Sequence, residues 1–321
     1  MKSMLRKFSR SNLWLAVALT VILFAVNVIA LPSILAPANL ISTLALLAPL
    51  IIIAFAATPS ILSGGGGIDV SMGSMITFTN VAMFVILPFM GIQNPVMMVV
   101  TLLLFGAIIG TVSGLLVTVV RLQPIVATLG VNLVLTGISV HLMPTPLGKA
   151  APWLKAFAGY MGPIPGPLII VAFALVLWGL LTLLPYHKAL LAVGGDDRAA
   201  FSSGLNVTLI RTLAYTLGGF LAALAGISIT AFVGAGNTAV GANFTLIAIA
   251  SVALGGTSLA GGSGGMIGTF FGATAIFFIQ KGLNTLAISS FWFQVAYGAI
   301  LLAALAANSL IRMSARKKAG E

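Results

Sequence analysis

Residues 61–74 read ILSGGGGIDVSMGS, a stretch with four consecutive glycines set between two strongly apolar runs. It also carries Asp69, one of only four acidic residues in the chain. A carboxylate at the centre of a lipid-facing helix costs on the order of 2.5 to 3.5 kcal/mol on insertion scales. Unpaired backbone groups there cost several more. The glycines therefore break a helix at a place sheltered from lipid, and Asp69 or Ser71 starts the next one.

The rest of the sequence sets that break in a membrane. Of the 321 residues, 60% are hydrophobic and 6% charged, and the mean hydropathy is +1.19. Soluble domains carry roughly a quarter charged residues. Several runs exceed the ~18 residues needed to cross a hydrocarbon core, and none alternates like an outer-membrane strand. The expected fold is an all-α polytopic membrane protein with about ten transmembrane helices. Its spans fall near 13–31, 39–62, 74–90, 95–120, 124–143, 167–185, 212–233, 244–260, 266–281 and 291–311. The first follows Lys2, Arg6, Lys7 and Arg10 as a signal peptide would, but it is long for that and many spans follow, so it reads as a retained helix.

Fifteen Lys and Arg against four acids give a formal charge of +11. In a membrane chain this excess marks loops on the cytoplasmic side and is no sign of nucleic acid. With both termini inside, Arg121, the loop around Lys188, Arg198 and Arg211, and the tail from Arg312 to Lys318 are cytoplasmic, leaving Lys149, Lys155 and Lys281 outside. The chain has no cysteine, which removes disulfides and thiolate metal sites. His141 and His187 sit far apart at helix ends, so no metal centre is expected. Gly106, Gly110 and Gly114 form a small face for close helix packing, as do Gly218, Ala222 and Gly226. A faint internal echo pairs GGIDVSMGS at 66–74 with GGTSLAGGS at 255–263.

The main polar segment on the inner side is PYHKALLAVGGDDRAAFSSGLNVTLIR, residues 185–211. Asp196 or Asp197 can cap a short helix running from Arg198 to Ser203, and Gly204 suits the left-handed residue that ends it. Residues 198–204, R-A-A-x-x-x-G, resemble the E-A-A-x-x-x-G signature with which permeases of bacterial ABC importers dock on their ATPase. The wider phrase AVGGDDRAAFSSGLNV is similar to the corresponding loop of the ribose-type (monosaccharide) ABC permease family. GGIDVSMGS, QPIVATLG at 123–130, IAIASVALGGTSLAGGSG at 247–264 and KGLN at 281–284 resemble further segments of that family, in its order. The matches run from residue 63 to 311. Departures are Arg198 in place of the signature Glu, two extra glycines before Ile68, and Asp196-Asp197 where Asn is usual. The outer segment MPTPLGKAAPWLKAFAGY at 143–160 matches nothing in the family's pattern.

What the resemblance implies is a single permease domain spanning 1–321 in a bacterial inner membrane. Its coupling loop is about 186–211 and its outer loop about 144–166. Gly194, Gly195, Asp196, Asp197, Arg198, Ala199, Ala200 and Gly204 would meet a cytoplasmic ATPase. A second permease copy or homologue and an extracytoplasmic solute-binding protein complete the implied assembly. No G-x-x-x-x-G-K-[S/T] occurs and no catalytic constellation is visible, so the chain is not expected to be an enzyme or to bind a cofactor. Mg-ATP would belong to the partner.

Asp69 keeps three readings: a cap alone, a cap that also lines an inner gate with Ser71, or a coupling carboxylate that lacks a second intramembrane acid. Asn80, Asn132, Gln280 and Asn284, with Gln294, suit a path for a hydroxylated solute, and equally suit interhelical hydrogen bonding. Trp153, Phe157 and Tyr160 suggest an outer interfacial helix. The alternatives to an ATP-driven importer are an ion-coupled carrier or channel, and a membrane scaffold without a transport path.

Overall fold

The computed structural model describes residues 2–289, 292–300 and 302. The expected span 291–311 is thus described only over residues 292–300 and 302, all helical, and the basic tail lies outside the described residues. The long helices are α1 (Lys2–Ala30), α2 (Pro37–Leu62), α3 (Met72–Phe89), α4 (Pro95–Thr118) and α5 (Pro124–Leu142). A one-turn helix α6 (Pro152–Lys155) and a two-stranded hairpin, β1 (Tyr160–Met161) with β2 (Ile164–Pro165), follow. Then come α7 (Gly166–Leu183), α8 (Pro185–Gly195), α9 (Asp197–Ser202), α10 (Val207–Val233), α11 (Phe244–Leu254) and α12 (Met266–Thr285).

Eight of these are long and apolar enough to cross a membrane. Three of them, α2, α4 and α5, begin at a proline, whose missing N–H costs nothing in a first turn. Within α3 the residues Ala82–Ile86 form a π turn. It ends two residues before Pro88, which cannot continue the ordinary hydrogen-bond ladder.

α10 is the axis of the bundle and packs on α2, α3 and α4. Its contact with α4 is antiparallel and close. A Cβ on Gly106 would stand 2.4 Å from the Gly219 carbonyl oxygen, and one on Gly110 2.3 Å from that of Tyr215. α1 and α12 run parallel, since Thr20 donates to the Phe271 carbonyl (2.8 Å) and Asn27 to that of Phe278 (3.0 Å).

Three expectations need correction. The span expected at 244–260 is helical only over Phe244–Leu254, 11 residues, or about 16 Å at 1.5 Å per residue, half a hydrocarbon core. The descent from the outer end of α10 is shared with irregular residues 234–243, and 255–265 form a glycine-rich loop at the inner end. The apolar run misleads because it is buried in protein, where hydropathy cannot distinguish a half-helix from a span. The inner loop holds two helices, α8 and α9, where one was expected. The outer interfacial helix is a single turn followed by a hairpin, with Tyr160 in β1. Gly159 and Gly162 leave no room there for a continuous helical pattern.

The irregular passage 234–243 is satisfied by α3. Asn80 donates to the Ala235 carbonyl (3.1 Å) and to Thr230 Oγ1 (3.0 Å), and accepts from the Asn237 N–H (2.7 Å). Thr77 Oγ1 accepts from the Gly241 N–H at 3.2 Å, and Thr245 Oγ1 accepts from the Gly73 N–H at 2.9 Å. Non-helical backbone within a bundle persists only where such partners exist.

Candidate functional site

Three glycine segments meet at the inner end of the bundle. Gly64, Gly65 and Gly66 have φ values of 71°, 64° and 74°, left-handed conformations that side chains rarely tolerate. The end of α8 presses on the same place. A Cβ on Gly194 would lie 1.8 Å from the Leu62 carbonyl oxygen and 2.6 Å from the Gly262 nitrogen. That Gly262 N–H donates to the Leu62 carbonyl at 3.1 Å. The loops on either side of the sequence echo, 63–71 and 255–265, therefore touch each other, and α8 is wedged against both.

α9 is attached directly to this junction. Asp196 is its N-cap, accepting from the Arg198 and Ala199 N–H groups, both at 3.0 Å. Gly204, at φ 83°, ends the turn that follows it. Ala200 is buried against the main core, whereas Arg198, Ala199 and Phe201 face outward. Phe201 is 72% exposed, an aromatic ring on a polar surface with nothing covering it. Sequence reading passed over it as a variable position of the R-A-A-x-x-x-G pattern. It also passed over the role of Arg211, which lies 14 residues from its partner. Arg211 pairs with Asp197 at 3.1 Å and donates through Nε to the Ser63 carbonyl at 3.2 Å. A half-exposed ion pair contributes little stability, but this one ties α9 to the glycine loop.

Asp69 lies a few residues further along that loop and is buried, 4% exposed. Its Oδ1 accepts from the Ser71 N–H (2.8 Å) and from the Ser71 hydroxyl (2.6 Å). Ser71 is the N-cap of α3 and makes no capping bond of its own. Asp69 thus shapes the turn that enters the helix and does not cap it directly. The turn is pinned on both sides, because the Val70 N–H donates to Thr128 Oγ1 (3.0 Å) and its carbonyl accepts from Thr245 (3.3 Å). Burial pushes the Asp69 carboxyl above its ordinary value, and the two Ser71 hydrogen bonds oppose that shift.

This arrangement yields a prediction for two substitutions. Asp69→Asn keeps an acceptor for Ser71 and is expected to accumulate at the wild-type level. Asp69→Ala leaves two buried donors unpaired and is expected to lose on the order of 1 to 3 kcal/mol, read as a lower unfolding temperature in detergent. Since the folded state holds its proton more tightly than the unfolded one, the Asp69 contribution falls as pH rises through the raised value. That slope should vanish in the Asn variant. Normal abundance of Asp69→Asn with lost uptake would refute a purely structural role.

The other candidates are dispersed. Asn80 is fully buried and engaged with 235–237. Asn132 is half-buried on α5, which packs loosely on α3 and α4, and makes no side-chain hydrogen bond among the described residues. Gln280 and Asn284 share the last turns of α12 with Lys281 and line a cavity of about 340 Å3, where Gln280 also donates to the Tyr297 hydroxyl. Asp69 and Ser71 thus follow the glycine loop that α8 and Arg211 touch, while Gln280 and Asn284 lie on the last turns of α12. Among the described residues no cluster of three or more His, Asp or Glu could hold a metal.

Comparison with known proteins gives a consistent set. The family described as "Branched-chain amino acid transport system / permease component" matches residues 39–305. The ribose import permease protein RbsC of Bacillus subtilis (strain 168) is 35% identical over 79% of each chain. The D-allose transport system permease protein AlsC of Escherichia coli (strain K12) is 31% identical over 76% of each. The probable ABC transporter permease protein YphD of the same strain is 34% identical, covering 97% of this chain and 93% of its own. No solved structure matches.

Proposed function

The chain belongs to the branched-chain amino acid transport system permease component family, and on that premise we propose how it is coupled and what it carries. It is a multi-pass permease subunit of an ATP-binding cassette importer, and ATP is hydrolysed by a separate subunit. Family membership sets aside the ion-coupled carrier and the scaffold. Importers of this family work with an ATPase and a binding protein.

In our reading α9 is the docking element for the cytoplasmic ATPase, which binds Mg-ATP. The observation that carries this is a six-residue helix, capped by Asp196 and displaying Arg198, Ala199 and Phe201, joined through Arg211 to the glycine loop that ends in Asp69. Closure of the ATPase would pull α9, and Arg211 with the Gly194 wedge would pass that displacement to 62–66 and the start of α3. The moving part is then the entrance turn of α3, with Asp69 and Ser71 at an inner gate. Paired with a second permease copy or homologue, two such devices would rock the bundles between outward-open and inward-open states. The membrane is the bacterial inner membrane, and an extracytoplasmic binding protein delivers the solute. Relatives named for ribose and D-allose support a monosaccharide or similar small polar solute.

The test is a mild-detergent pull-down of the tagged chain from its native host, with mass spectrometry of what copurifies, repeated with Gly204→Asp. Copurification of a nucleotide-binding ATPase that the substitution removes is the expected result. A chain that emerges alone, folded and still active in uptake, would overturn the docking assignment.

A further inference from the structure

A cavity opens at the outer end of α12. Its polar lining comes from Asn243, Gln280, Lys281, Asn284, Gln294 and Tyr297. Phe244, Phe277 and Phe293 supply aromatic faces between them. Among the described residues no carboxylate lines it. At about 340 Å3 it lies within the ~300 to 1,000 Å3 range of small-molecule sites.

Three of the amides, Asn243, Gln280 and Gln294, are already oriented by hydrogen bonds that, among the described residues, leave capacity toward the space. Gln294 donates to Asn243 Oδ1 at 2.9 Å, which leaves the Gln294 carbonyl and the Asn243 N–H groups unspent. Gln280 donates to Tyr297, which leaves its carbonyl oxygen. Asn284 makes no side-chain hydrogen bond among the described residues and offers both kinds of group. Interhelical glue closes space between helices, whereas these groups surround a void. The break in the bundle meets the void as well. Asn243 is the residue at which the irregular passage 234–243 becomes α11, and solute sites within membranes typically form where a helix is discontinuous.

We infer that this cavity is an outer holding site for a neutral polyhydroxylated solute of monosaccharide size, bound by the amides of Asn243, Gln280, Asn284 and Gln294 against the phenyl faces. The inference rests on the permease reading above. Amides pair with hydroxyls as donors and acceptors at once, and the C–H faces of a sugar ring stack on aromatic rings. A cationic solute finds no countercharge there among the described residues. Lys281 serves as one more donor.

The chain has no cysteine, so Leu46→Cys, on the apolar wall of the cavity, places a unique thiol in it. In membrane vesicles holding the full complex, a membrane-impermeant maleimide added from the outer side should label that thiol. D-ribose, D-allose, D-xylose and D-glucose at millimolar concentration are the probes, with L-leucine as the amino-acid control. The expected result is at least fivefold slower labelling with one or more of the sugars, none with leucine, and loss of that protection when Gln280→Ala is added. No protection by any of the four sugars overturns the assignment, and protection by leucine alone overturns the solute class. Continued copurification of the ATPase in those cases leaves the permease reading standing, while its absence removes both.

Discussion

Replacing Phe201 with aspartate is expected to leave the chain at wild-type abundance in the membrane and to strip it of its ATPase. The ring is 72% exposed on a helix of only six residues, so its loss removes no packing from the bundle. Aromatic residues that are exposed alone and bury on association are typical interface anchors, and truncating one costs about 2 kcal/mol or more, at least ~30-fold in affinity. Aspartate adds a desolvation cost to that loss and places a third acid beside Asp196 and Asp197. Copurification in mild detergent, followed by a titration of purified ATPase onto the permease in nanodiscs, reads the effect. An unchanged dissociation constant would move the docking face away from α9. Ala200, two residues into the R-A-A motif, serves as contrast: it is buried, so its enlargement should act on folding first.

The second large effect is expected at Gly194. Even alanine there puts a Cβ 1.8 Å from the Leu62 carbonyl oxygen, about half of an ordinary contact. The neighbouring atoms are backbone from α2 and from the 261–262 turn, so no flexible side chain can yield. Gly194→Ala is expected to cost more than the ~1 to 3 kcal/mol usual for an overpacked core and to deplete assembled protein strongly. Gly195→Ala is the internal control, because a Cβ at Gly195 meets nothing within 4 Å. Fluorescence-detected size exclusion of tagged variants separates the two. Equal abundance of both would mean that the three-way glycine junction is not a close contact in the membrane.

These two glycines show where sequence reading reaches its limit. Both belong to one phrase, AVGGDDRAAFSSG, and nothing local ranks one above the other; the ranking comes from Leu62 and Gly262, far away along the chain. The cap by Asp196 and the positive φ of Gly204 are legible because both concern residues within one short helix. The eight long spans of the described residues were legible from hydropathy; 244–260 misled, because burial in protein imitates burial in lipid. Arg211 and Asn80 were illegible as partners, since their hydrogen bonds reach 148 and 155 residues along the sequence. Phe201 carried no signal in a chain that is 60% hydrophobic, because only the packing of α9 decides which of its faces is left open.

The half-helix α11 also constrains how the chain is made. A segment of 11 apolar residues is short of what the insertion machinery retains as a span, so it enters the bilayer only by settling on protein already there. It packs on α2 and on the later α12, while α3 holds the passage that leads into it: Asn80 and Thr77 hold 235–241, and the Gly73 N–H reaches Thr245. Those residues leave the ribosome more than 150 positions earlier, in time to be in place. The first half of the protein is therefore expected to act as a template for the eighth passage, which α12 then covers from its other side. A chain split between α5 and α7 should reassemble only when the N-terminal fragment is supplied first.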